Sequence, residues 1–440
     1  MTAGAGGALY SGLFGDAETS ALFDDTAEIA AMLQVEGALA RVQGGMGVIP
    51  AESGAFLDSA CRSIRLDPAA LAAETGANGV PVPALVKAAR AAIGAPEHAR
   101  WLHWGATSQD IMDTALVLRL RRLLDLWQTR VDALLDGLAG LADTHADLPM
   151  AARTYGQAAV PTTFGAAVAG WGGPLLRARG DLPALRARLL VVSLGGAAGT
   201  LGAIGPTGPE VRARLAAALD LEDPGGSWHS ARDRIAAFAA WATGIAVALG
   251  KMGEDMILMA QSGIGELELA GGASSTMPQK ANPVGPSVLV ALARQVVALQ
   301  SAIAGAGLHR QQRDGTAWFT EWLTLPALCL STGRALQLGA ELAASVRPVP
   351  ERMAAALAAD GGLIRAEEIA FALAARMPRP DAEAEVKRLV AAVRAGGGDL
   401  PRLSRAAHPG LSLPDGPDTG CAPSEARNFA AAVRAGGRPS

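Results

Sequence analysis

The chain has 440 residues, enough to bury a large core and more than one ordinary domain carries. A formal net charge of −4 and a pI near 5.9, with no basic run, exclude a general nucleic-acid binder and leave small molecules or protein partners. Three cysteines, Cys61, Cys329 and Cys421, lie far apart without paired or metal-ligand spacing and are expected as reduced, buried thiols.

The first residues lack the basic segment and apolar run of a secretory signal, so cytoplasmic residence is expected. The longest strongly apolar uncharged run, residues 235–250, is shorter than the roughly 20 residues of a membrane span and reads as a buried core helix. Abundant Ala, Leu and Arg, 4% aromatic residues and no sustained period-2 alternation point to an all-α fold.

Residues 19–47 place Phe23, Ile29, Leu33, Val35 and Leu39 at helical spacing, a long entry helix. Shorter helices follow to residue 100, broken at TGANGVPVP (75–83), where the Val-Pro pairs disfavour helix. Residues 1–110 are expected as a first domain. From Asp110 to Asp143 the stripe Leu116, Leu120, Leu123, Leu124, Trp127, Val131, Leu134 and Leu138 is wide enough to pack against several helices.

A second long pattern after Pro161 contains Pro174 and Pro183, which are expected to kink or break it. The segment GGAAG (195–199) lacks the Lys-Ser/Thr ending of a phosphate loop and a preceding strand, so it reads as a tight connection. Three more long patterns, 230–268, 284–307 and 318–346, give five long helices in a central bundle at 111–350. Their apolar stripes exceed what one bundle covers, which implies association through the helices. Short helices and a Gly/Pro-rich tail from Gly396 make a third domain, 351–440.

Polar islands interrupt these patterns. The most distinctive, third in chain order, is GGASSTMPQKANP (271–283), where Ser274, Ser275, Lys280 and Asn282 supply hydroxyls, a cation and an amide between two helical supports. By Ser/Gly/Pro content alone it is a flexible connector, but the chain has only four lysines, Lys87, Lys251, Lys280 and Lys387, against plentiful arginine. The first in chain order, HWGATSQDIMDT (103–114), offers His103, Thr107 and Ser108 at a helix start, to cap the helix or to hold an anion. In the second, ARTYGQAAVPTTFG (151–165), Arg153, Tyr155 and Gln157 alternate as on one extended stretch, either facing one cleft or forming a solvated loop before a helix. A fourth, HRQQRDGTAWFTEW (309–322), carries Arg313 near Trp318 and Trp322 and by itself reads as a helix junction. No HExxH, CxxC or carboxylate cluster is present, and Ser274 lacks a nucleophile elbow, so a site without metal or cofactor is expected.

In order, these islands resemble the three signature regions of the fumarase/aspartase superfamily. SSTMPQKANP fits SSxMPxKxNP at every fixed position, and TSQD and ARTYGQ-x-x-x-P-T fit the other two. LFGDAETSALF, NGVPVPALV, PTTFGAAVAGW, LGGAAGTLGAIG and WFTEWLTLP resemble most closely the superfamily's bacterial 3-carboxy-cis,cis-muconate cycloisomerase branch. The resemblance implies an all-helical, three-domain subunit, a homotetramer with active sites shared between subunits, a small tricarboxylate substrate, and lactonisation of 3-carboxy-cis,cis-muconate to 4-carboxymuconolactone.

It further implies Ser274 as the proton-transfer residue, with Lys280 and loop amides stabilising the anion. His103, Thr107, Ser108, Arg153, Tyr155, Gln157, Ser275, Asn282 and Arg313 would line the substrate. Gln312 stands where many relatives carry Glu, and Tyr155 stands where amine-releasing relatives carry His. The second departure argues against a lyase acting on an adenylosuccinate- or argininosuccinate-like compound.

Overall fold

A computed structural model describes residues 8–269, 277 and 280–436. It is all-α in character. Five long helices are present among the described residues: α1 (Ser108–Thr144), α2 (Phe164–Leu189), α3 (Asp233–Met259), α4 (Val284–Gly305) and α5 (Gly315–Ser345). The described strands form two small antiparallel pairs, β1 (Pro149–Thr154) with β2 (Gln157–Thr163), and β3 (Leu267–Glu268) with β4 (Arg347–Pro348).

The chain divides into two compact units, one of residues 1–130, 181–247 and 292–337, the other of residues 131–180, 248–291 and 338–440. In the first, the entry helix is Asp25–Gly45, begun by Asp24, whose side chain accepts from the Ala27 N–H at 2.7 Å. It packs against Ala51–Ser63, where Gly44 and Gly54 permit the approach: a Cβ on Gly54 would lie 2.6 Å from the Ala40 carbonyl. The first part of α1 buries Leu120, Leu123, Leu124 and Trp127, and Trp127 stacks on Phe238 and Trp241.

In the second unit the Gly/Pro-rich tail is itself structured. Leu400–Ala407 and Ala422–Arg434 are helices, and Leu400, Leu411 and Leu413 join Ile369, Leu373, Val386 and Leu389 in a local core. Gly172 admits the last helix, since a Cβ there would meet the Phe429 ring at 2.1 Å.

Several expectations are corrected. Helix α2 runs through Pro174 and Pro183 without a break. Each proline costs a helix hydrogen bond, and the buried Trp171, Leu175, Leu182 and Leu189 supply the packing that holds the helix across that loss. The pattern expected to reach residue 268 ends as helix α3 at Met259, because Gly263 and Gly265 take φ of 91° and 63° and turn the chain toward β3. Cys61 and Cys329 are buried but Cys421 is exposed, at the start of the last helix, where an apolar environment is absent.

Helices α3 and α4 are long and apolar enough to cross a membrane by length and composition. Helix α3 buries Ile235, Phe238, Ala242, Ile245, Leu249, Met252 and Met256, a stripe at helical spacing of the kind that packs into a protein core.

Candidate active site

The first island opens α1. Thr107 precedes the helix, and its backbone N–H donates to Asp110 Oδ2 at 2.9 Å, so the capping reading of the island holds in part. Asp110 does more than cap. It is 1% exposed and accepts from the Gly195 N–H at 2.7 Å, the Gly196 N–H at 2.9 Å and His229 Nε2 at 2.7 Å. Two amides of the GGAAG segment, those of Gly195 and Gly196, are therefore spent on a protein carboxylate, in keeping with the tight connection expected. Gly105 seats this junction, as a Cβ there would lie 2.4 Å from Ile204 Cγ1.

His103 takes a left-handed backbone, φ 66°, and its Nδ1–H donates to Glu36 Oε1 at 2.6 Å. Glu36 is 1% exposed, and its other oxygen has no partner among the described residues. Burial disfavours the imidazolium, yet the Glu36 carboxylate, its hydrogen bond and the charge of Asp110 outweigh burial and the opposing Arg90, so the His103 pKa is raised.

Beneath the island lies a buried polar lattice that the sequence reading did not single out. Arg232 reaches Asp113 through both Nη atoms at 2.8 and 3.0 Å, and Glu321 through Nε and Nη2 at 2.9 and 2.5 Å. Burial opposes the charge on Arg232, but the two carboxylates more than compensate and raise its pKa. Gln109, fully buried, donates to Asp113 Oδ2 at 3.1 Å and to the His229 carbonyl at 2.9 Å. Its Oε1 accepts from Arg313 Nε at 2.8 Å, and Arg313 Nη2 donates to the Ala197 carbonyl at 3.2 Å. The first and fourth islands are thus joined within one unit. A usable signal was present: Ser108, Gln109, Asp110, Asp113 and Thr114 make five of the first seven residues of α1 polar, ahead of a long apolar stripe.

The second island differs from expectation. Arg153, Tyr155 and Gln157 do not share one strand, because the chain reverses between β1 and β2 at Tyr155 and Gly156, with φ of 52° and 74°. Two consecutive positive φ values make the tight turn that suits a twisted hairpin. Thr154 pairs with Gln157 and Arg153 with Ala158, while Tyr155 projects fully exposed at the tip. Arg153 donates from Nη1 and Nη2 to the two oxygens of Glu266 at 2.7 and 2.8 Å. That bidentate bond, offset in part by burial, raises the Arg153 pKa.

Of the third island, Ser274 and Ser275 lie outside the described residues. Lys280 is exposed, with its N–H donating to the Met277 carbonyl at 2.9 Å, and exposed Asn282 accepts at its carbonyl from the Val284 N–H at 2.8 Å as α4 begins. His103, Thr107, Ser108 and Arg313 belong to the first unit, and Arg153, Tyr155, Gln157, Lys280 and Asn282 to the second.

The family described as Lyase matches residues 19–298, which contain all three signature regions. The chain belongs to the fumarase/aspartase lyase superfamily. Among similar members of the superfamily is the 3-carboxy-cis,cis-muconate cycloisomerase of Pseudomonas aeruginosa, 42% identical over 84% of this chain and 82% of that protein. A nitrosuccinate lyase of Streptomyces davaonensis is 37% identical over 84% and 80%. The solved 3-carboxy-cis,cis-muconate lactonizing enzyme of Pseudomonas putida superposes with a TM-score of 0.90 at 35% identity, covering 98% of this chain and 99% of the other. This superfamily member is an enzyme.

Proposed function

We propose that the enzyme is a cytoplasmic, homotetrameric 3-carboxy-cis,cis-muconate cycloisomerase that forms 4-carboxymuconolactone, with subunits organised as 1–110, 111–350 and 351–440. The observation that carries this reading is Tyr155. In place of an imidazole, the hairpin tip offers a fully exposed phenol. Read in reverse, lactonisation is an elimination whose leaving group is a carboxylate, and a carboxylate departs without a strong general acid. Relatives 35–42% identical to this chain carry the cycloisomerase name.

In the forward direction a substrate carboxylate oxygen bonds to a carbon of the conjugated system. The displaced π electrons move onto the neighbouring carboxylate-bearing carbon and spread into that carboxylate. Lys280 and loop amides hold this charge, and the Ser274 hydroxyl delivers a proton to carbon. Thr107, Ser108, Asn282, Gln157 and Arg313 hold the other carboxylates, with His103 and Ser275 lining the site. No cofactor takes part.

Incubation of purified protein with 3-carboxy-cis,cis-muconate, followed by ultraviolet loss of the conjugated diene, tests the reading. An unchanged spectrum would end it. The second reading is a fumarate-releasing lyase, which the nitrosuccinate lyase relative favours. A nitro group leaving as nitrite is as indifferent to a proton donor as a carboxylate is, so release of fumarate from 2-nitrosuccinate under conditions that spare the diene would select it.

The tetramer reading rests on apolar side chains left open on the long helices of a single chain: Val247 and Leu258 on α3, Val297 on α4, Phe319 and Leu323 on α5. Light scattering on the purified protein should give four times the 44.6 kDa chain mass.

A further inference from the structure

The helix Val82–Ile93 places Pro83, Val86, Lys87 and Arg90 at i, i+3, i+4 and i+7, along one face. That face, with Val82, His103 and Ser108, lines a cavity of about 440 Å³. Neither Lys87 nor Arg90 belongs to a signature region. Arg90 is fixed on the approach to the first island by donating from Nη2 to the Leu102 carbonyl at 2.9 Å, and its charge acts on His103 against the pull of Glu36. Lys87 lies 3.1 Å from Glu74 in a pair open to water, with side chains 77% and 38% exposed. Such a pair is held weakly and yields readily to a competing anion.

A tricarboxylate needs several cationic partners, and of the expected ones Arg153 is engaged at both arms, by Glu266, and Arg313 at two of its three nitrogens, by Gln109 and the Ala197 carbonyl. The cavity combines two cations, an imidazole and a hydroxyl with the apolar walls of Val82, Pro83 and Val86. That is the chemistry to hold one carboxylate on a short hydrocarbon.

We propose that Lys87 and Arg90 form a cationic anchor for one carboxylate of a small polycarboxylate, beside His103 and Ser108, and set the preference for three carboxylates over two. The inference rests on the functional reading above. Its test compares the intact protein with Lys87→Met, Arg90→Met, the double variant and Arg90→Lys. The probes are propane-1,2,3-tricarboxylate and glutarate, titrated calorimetrically at low salt.

Wild type is expected to bind the tricarboxylate about tenfold more tightly, as one extra charge-assisted contact of about 1.4 kcal/mol implies. The double variant loses that preference, and Arg90→Lys keeps part of it. In the reaction, KM rises about tenfold or more in the double variant with kcat nearly unchanged, the signature of lost uniform binding. Both side chains are exposed, so the fold survives their replacement. Turnover of 3-carboxymuconate by wild type, with the probe preference intact in the double variant, overturns the anchor and leaves the reaction standing. Loss of the preference in the double variant, without wild-type turnover, supports the anchor and removes the reaction.

Discussion

Arg153 on β1 and Glu266 just before β3 meet through two parallel hydrogen bonds, 2.7 and 2.8 Å long, with Glu266 fully buried and the Arg153 side chain 27% exposed. The two are 113 residues apart in sequence. Glu266 is further tied by its carbonyl to the Val349 N–H at 2.9 Å and by its own N–H to the Met259 carbonyl at 2.8 Å. The second signature region is thereby fastened to the segment that leads into the third. Arg153 thus serves as a strut for the hairpin, which presents Tyr155 and Gln157.

Glu266→Gln leaves a neutral amide where the guanidinium requires a bidentate carboxylate. Loss of one charge-assisted hydrogen bond is expected to cost about 1.5–3 kcal/mol, read as a lower urea midpoint at unchanged slope. If Arg153 were instead a free substrate ligand, stability would stay constant and only KM would move.

Arg232 is held by two carboxylates in a fully dry setting, and Gln109 transmits that arrangement to Arg313. Arg232→Met leaves Asp113 and Glu321 buried without their counter-ion, a loss of about 3–5 kcal/mol by chemical denaturation. Gln109→Leu removes the polar link while keeping the ion pairs. It should therefore raise KM more than it lowers stability, and equal effects on both would show that Gln109 only packs.

The helical class and the long-helix count were legible because period-3.6 stripes such as Leu120, Leu123, Leu124 and Trp127 on α1 need only local information. The buried pairs were not. Asp110 with His229, and Arg153 with Glu266, join residues more than a hundred positions apart, and nothing in a single sequence states which charge meets which. The hairpin turn was hidden for another reason. Tyr155 adopts a left-handed backbone usually given to Gly or Asn, so alternation across Arg153 to Gln157 read as one strand. Pro174 and Pro183 misled in the opposite sense, since local propensity lost to the burial of Trp171, Leu175 and Leu182 around them.

His103 has a pKa raised above its usual value near 6.5, the charge of Glu36 prevailing over burial. A group whose folded pKa is raised contributes stability that is full below the unfolded pKa and is lost as pH rises through the folded value. Urea melts should therefore show stability falling above about pH 6.5. The Glu36→Gln variant should flatten that fall, and an equal slope in both proteins would show that another group is responsible.

The decisive variants are at the hairpin tip. Tyr155 is fully exposed and holds a turn through its backbone, so changing its ring alters chemistry without disturbing packing. If the leaving carboxylate needs no proton, Tyr155→Phe should keep kcat within about threefold of wild type, since general acid catalysis is typically worth 10²–10⁴-fold where it operates. Tyr155→His, which restores the imidazole of amine-releasing relatives, should bring no gain in lactonisation at any pH, because an added acid has no leaving group to protonate. A hundredfold loss in Tyr155→Phe, with circular dichroism and assembly intact, would make the phenol the proton donor and return Ser274 to a binding role.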